Sequence, residues 1–161
     1  MRKEAMAMIE KKLEELGICL PEPMGPSPLA DHVVAKRVDN LLFVSGIGPI
    51  RNGMPSITGR LVKDMKHEAG YEAAREAGLN VLSIIRKELG DLDKVEEFVK
   101  VVGYVACDGD FYDHHMIVNG ASHLFHEVFG EKGDHVCTAV GANVLPFHVP
   151  VILDVVVKVR P

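Results

Sequence analysis

Cys137 is followed at alternate positions by Ala139 and Gly141 and preceded by His135, so a strand through this stretch sets a thiol among small and polar neighbours. A thiolate is a strong nucleophile, and an imidazole near it, His32 or His135, lowers its pKa. The plain alternative is a small buried side chain, the commonest fate of an unpaired cysteine. Cys19 and Cys107 carry weaker chemical signals. A second concentration is Asp108-Gly-Asp-Phe-Tyr-Asp-His-His115, with three carboxylates and two imidazoles in eight residues. Both group types bind metals, but the spacing fits no established metal site, and Asp113 or a neighbour serves better as a helix cap. His123 and His126, three apart on a helix, read as a solvated or half-buried face.

Other clusters carry less chemistry. Lys63, Lys66, Arg86 and Lys87 alternate with Asp64, Glu68 and Glu88 and describe a solvated helix face. Gly46, Gly48 and Gly53 lack the strand-to-helix context and the lysine of a phosphate-binding loop. No metal or cofactor is expected.

The elements that hold these residues follow from periodicity. Met6, Ile9, Leu13 and Leu16 give an amphipathic helix stopped at Gly17, and Pro21, Pro23, Pro26 and Pro28 forbid its continuation. Residues 1–28 are thus a helix and connector, and residues 29–161 the main domain. Runs at 32–38 and 41–45 flank Asp39-Asn40 and predict a hairpin, with a loop over 46–59. Ala74, Ala77, Val81, Ile85 and Leu89 keep helical register from His67 to Leu89, ending at Gly90. A strand over 95–106 follows, with Glu96 and Glu97 assigned to the turn before it; then a helix over 117–129 and strands over 135–144 and 150–159. The order β-β-α-β-α-β-β after a leading helix predicts an α/β (α+β) domain, a mixed sheet with two helices on one face.

In the last strand Val149, Val151, Leu153, Val155, Val157 and Val159 form one apolar face, while Ile152 and Val156 leave the other partly apolar around Asp154. With helices for one face only, another subunit must cover the second, which predicts a homo-oligomer. In the preceding strand Val136, Thr138, Val140, Ala142 and Val144 are assigned to the core. His135, Cys137, Ala139, Gly141 and Asn143 are assigned to the other side, where their small volume leaves room for a pocket.

With 161 residues, 47 % hydrophobic and 25 % charged, the chain suits one folded domain. A net charge of −5 without a basic patch argues against DNA and makes RNA an unpromising partner. The three cysteines have no metal-type spacing, and no apolar run nears the roughly 20 residues of a membrane span. A cytoplasmic location without membrane contact is expected.

Asn40-Leu-Leu-Phe-Val-Ser-Gly46, Val118-Asn-Gly-Ala-Ser122 and Cys137-Thr-Ala-Val-Gly-Ala-Asn-Val-Leu-Pro146, in that order and spacing, resemble the RidA family, also called YjgF or L-PSP endoribonuclease-like. The resemblance implies a chorismate-mutase-like fold, a homotrimer and a small-metabolite pocket at each subunit interface. Its best-studied members hydrolyse enamines and imines to keto acid and ammonia without a cofactor; others are reported as binders or as ribonucleases. Ser45, Gly46 and Asn119 fall on pocket positions. The family's carboxylate-clamping arginine aligns with Cys137, its pocket tyrosine with His32 and its water-positioning glutamate with Ile152. The expected substrate-binding residues are therefore Ser45, Gly46, Asn119, His135 and Cys137, and the expected catalytic ones His32, Cys137 and Asn119. An arginine fork offers two hydrogen bonds and a fixed charge that a thiol lacks, so the expected ligand differs from the usual acid. The competing expectation is a ligand sensor that keeps the pocket without its reactive groups.

Overall fold

The change from alternating to helical periodicity marks the element boundaries in the computed structural model, which describes residues 7–161. Helix α1 spans Met8–Glu15; Met6 lies outside the described residues. Strands β1 (Ala35–Val38) and β2 (Leu41–Ile47) turn at Asp39, whose φ of 50° is the left-handed conformation a tight hairpin needs. The segment expected to be loop contains a short hairpin, β3 (Ile50–Arg51) and β4 (Met54–Pro55). Its Asn52-Gly53 turn supplies two positive φ angles, 52° and 76°. Helix α2 (His67–Leu89), strand β5 (Val95–Ala106), helix α3 (His114–Phe129), and strands β6 (Val136–Ala142) and β7 (Val151–Val159) follow. Glu96 and Glu97 belong to β5, not to the preceding turn; a register shift between Val95 and Glu97 accommodates them.

The main sheet runs β1-β2-β7-β5-β6. Only β5 and β6 are parallel, because α3 carries the chain back between them as a crossover. Helices α2 and α3 cover one face, as the periodicity predicts. Val151, Leu153, Val155, Val157 and Val159 are all at most 1 % exposed and pack in one core with Ala74, Ala77, Val81 and Ile85 of α2 and Leu124 and Phe125 of α3. Each of the larger side chains contributes about 1.5–3 kcal/mol by leaving water. Among the described residues no helix is long and apolar enough to cross a membrane.

The face assignment of β6 is reversed from the sequence expectation. Cys137 pairs with Val101 and Gly141 with Val105, both fully buried under the helices, so His135, Cys137, Ala139 and Gly141 face the helix layer. Val136, 66 % exposed, and Val140, 39 % exposed, lie on the open face. The small residues are there because α3 passes close over this edge strand, and Ala139 packs against the core.

Helix α1 is tied down from a distance. It has no cap of its own; the amides of Met8 and Ile9 instead donate to the two carboxylate oxygens of Asp93, each at 2.9 Å. Asp93 sits in the 3-10 turn Leu92–Lys94 that leads into β5. Arg86 of α2 pairs with Glu10 at 3.3 Å, and Leu13 is 3 % exposed. Removing an N-terminal cap costs about 1 kcal/mol. Asp93→Ala should lower stability by about that amount and speed amide exchange in α1 while leaving β5 and β7 protected. Unchanged exchange in α1 would show that packing alone seats the helix.

Candidate functional site

The residues singled out from sequence fall into two groups on opposite sides of the sheet. On β2 the register breaks between Val44 and Ile47, a bulge that turns Ser45 and Gly46 toward β7. The Ser45 hydroxyl and the Gly46 amide both donate to Asp154 Oδ1 at 2.9 Å, fixing that carboxylate on the open face. His32 lies in the bend before β1, exposed and outside the strand expected to begin there.

The second group lines the β6 edge under α3. His135 Nδ1 donates to the carbonyl of Gly133 at 2.7 Å, and its Nε2 lies 2.8 Å from the Ser122 hydroxyl. Both ring nitrogens are thereby engaged, and the ring sits edge-on to Phe125. His135 is thus positioned by the Gly133 carbonyl and the Ser122 hydroxyl, with no ring nitrogen left free to serve Cys137. Cys137 is exposed on this edge, and desolvation still pushes its thiol up from the ordinary value near 9.0. The group is a protonated thiol at neutral pH and supplies no charge. Asn119, half-buried, lies one turn before Ser122 on α3.

Between β2 and β6 stand β7 and β5. Three strand spacings amount to about 14 Å, too far for Ser45 and Cys137 to touch one small ligand within a chain.

A concavity of about 460 Å³ opens elsewhere, at the C-terminal ends of the parallel pair β5 and β6 and before the start of α3. Crossover geometry leaves such crevices at the carboxyl ends of parallel strands. Arg60 forms one wall: Nη1 pairs with Asp108 Oδ1 at 3.0 Å, and Nη2 donates to the Cys107 carbonyl at 2.7 Å and to Asn143 Oδ1 at 3.4 Å. Cys107 Sγ lies 3.5 Å from His114 Nε2. Burial raises the Cys107 thiol pKa; the Arg60 charge pulls it down, Asp108 raises it, and a backbone hydrogen bond from Ala142 lowers it, with a net rise.

The acidic and histidine-rich run is thereby dispersed. Asp108 holds Arg60, His114 meets Cys107, and Asp113 Oδ2 lies 2.9 Å from His67 Nε2. Asp113 occupies the N-cap position of α3 but makes no side-chain cap, contrary to expectation, because its carboxylate is turned to α2. Arg60 carries no signal in the sequence, whereas Asn143 belongs to the small-residue set of β6 expected to border a pocket, and Cys107 directly precedes the run that supplies Asp108 and His114.

Residues 10–158 match the family described as "YjgF/chorismate mutase-like, putative endoribonuclease". Protein TCP17 of Trypanosoma cruzi is 35 % identical over 157 residues, 97 % of each chain. The crystal structure of Atu1372 from Agrobacterium tumefaciens is 36 % identical, with a TM-score of 0.86 over 95 % of this chain and 93 % of that one. A Shewanella oneidensis structure described as a putative endoribonuclease is 26 % identical, with a TM-score of 0.88 over 94 % and 99 %. The match spans nearly the whole chain and carries the five-stranded sheet with its two covering helices, and the chain belongs to the YjgF/chorismate mutase-like family of Rid and L-PSP endoribonuclease-like proteins.

Proposed function

We propose that the chain is a Rid-type small-metabolite protein that works as a cytoplasmic homotrimer, its ligand held where the α3–β6 edge of one copy meets the β2 side of the next. The observation that carries this reading is the split of the pocket residues. Asn119, His135 and Cys137 stand on one edge and Ser45, Gly46 and Asp154 two strands or more away, a separation that a neighbouring copy would close. The half-buried Val102, Tyr104, Ile152 and Val156 on the open face support self-association.

The reaction that suits this arrangement is hydrolysis of an enamine or imine: water adds to C=N and ammonia leaves as the carbonyl forms. Asn119 and the Ser45 hydroxyl orient the substrate, Asp154 takes the proton of the attacking water in place of the glutamate that Ile152 replaces, and His32 returns a proton to the departing nitrogen. With a protonated thiol, position 137 offers no fixed cation to hold a carboxylate, which favours an uncharged imine as substrate. The test is ammonia release from imines prepared in situ from amines and from amino acids. Acceleration is expected with the uncharged imines and should fall by about 10²-fold or more in Asp154→Asn. No acceleration with either class would overturn the reaction.

The neutral thiol at 137 and the apolar Ile152 favour a second reading, a ligand sensor without turnover. Thermal stabilisation by an uncharged metabolite with no ammonia released would select it. Endoribonuclease action is the weakest reading, since a net charge of −5 attracts no polyanion; absence of single-stranded RNA cleavage at physiological salt dismisses it.

A further inference from the structure

The concavity at the ends of β5 and β6 contains a thiol–imidazole pair that the proposed deamination does not use. Its geometry is set from several elements. Cys107 directly follows β5, and both its backbone polar groups are engaged: its amide donates to the Ala142 carbonyl at 3.1 Å, and its carbonyl accepts from Arg60. His114 opens α3, and its ring stands edge-on to Phe111 with centroids 5.3 Å apart. Phe111 is in turn 5.4 Å from the ring of His67, whose Nε2 is held by Asp113. Gly141 completes the arrangement by its emptiness. A Cβ there would lie 2.8 Å from His114 Nε2 and 3.1 Å from Cys107 Sγ, so a side chain at this position would wedge into the pair.

We propose that Cys107 and His114 form a second reactive centre, a nucleophile and proton carrier that add to small α,β-unsaturated carbonyl compounds entering the concavity. The Cys107 thiol passes its proton to His114 Nε2, and the sulfur electron pair forms a C–S bond to the β-carbon. The C=C π pair moves onto the carbonyl as an enolate; the imidazolium then returns the proton to the α-carbon, leaving a saturated thioether. Atoms and electrons balance with no oxidant or cofactor. The chemistry matches what the wall displays. Conjugate addition needs a nucleophile, one group that takes and returns a proton, and stabilisation of a transient enolate. Arg60 provides the last as a fixed cation on the same wall. Burial holds the thiol protonated at neutral pH, so the imidazole, and not a standing thiolate, confers its reactivity.

N-ethylmaleimide on the full chain, with adducts at Cys19, Cys107 and Cys137 resolved by peptide mass spectrometry, tests this directly. The two exposed thiols serve as internal references. Near pH 7 Cys107 should form its adduct, and His114→Gln should slow that adduct by at least about tenfold while Cys19 keeps its rate. Gly141→Ala should slow it likewise. A native Cys107 that forms no adduct, or one that reacts equally fast in His114→Gln, would overturn the proposal. Ammonia release plays no part in the measurement, so its outcome is separate from that of the deaminase reading.

Discussion

Gly120→Ala should lower the unfolding free energy by about 3 kcal/mol, at the upper end of what overpacking costs and a large share of a typical domain's 5–15 kcal/mol. An alanine Cβ at 120 would stand 2.0 Å from the Tyr71 carbonyl oxygen, 2.9 Å from its carbon and 3.0 Å from the Arg75 amide nitrogen. These are backbone atoms of α2, and no rotamer change moves them. Relief requires α3 to back away from α2, which also strains the Tyr71–His123 hydrogen bond at 2.9 Å and the Arg75–Glu127 pair at 3.2 Å. Against this, alanine gains only about 1 kcal/mol in helix propensity. Gly78 on α2 is the control at the same interface: its Cβ would meet the flexible end of Leu124 at 3.1 Å and Ala121 at 3.4 Å. Gly78→Ala should therefore stay within about 1 kcal/mol of the parent, propensity offsetting a small adjustment. Urea unfolding of the two variants checks both statements; equal midpoints would show that the helices do not cross as closely as described.

The same closeness of α3 explains what could and could not be read from the sequence. The limits of α2 and β5 and the all-apolar face of β7 were legible, because each is a local periodicity imposed by a continuous core. Alternation in β6 correctly separated its residues into two sets but could not say which set meets the helices. Small residues suit a pocket and suit equally a strand over which a helix lies tightly; Ala139 and Gly141 are of the second kind, and valines 136 and 140 are left on the open side. The Asn52-Gly53 pair is a turn signal, but the two-residue strands on either side of it carry no periodicity of their own. Arg60 was out of reach for a different reason. Its partners Cys107 and Asn143 are 47 and 83 residues away in the chain, and only the parallel pairing of β5 with β6 brings their ends to one place.

Phe43→Asp should leave the chain monomeric and abolish the proposed ligand binding without touching a pocket residue. Phe43 stands on the open face of β2, 41 % exposed, opposite Lys36 on β1 and Val156 on β7. In an isolated chain the change costs little, about 0.5–1 kcal/mol of strand preference and surface packing. In a closed assembly it places a desolvated carboxylate, with Lys36 across the strand pair beside it, against apolar residues in every copy, and rotational symmetry repeats the desolvation cost at each interface. Sedimentation should give three chain masses for the parent and one for the variant, whose thermal midpoint should then lose its dependence on protein concentration. Phe43→Leu, which keeps the apolar contact, should remain assembled. A parent that sediments as a monomer, or a Phe43→Asp variant that remains trimeric, would remove the open face as the interface. The stronger consequence concerns the pocket. Ser45 and Asp154 lie on one side of the sheet and Asn119 and Cys137 on the other, so loss of assembly must carry loss of ligand binding with it; a monomeric variant that still binds would place the whole site within one chain, and the concavity beside Arg60 would then be where to look.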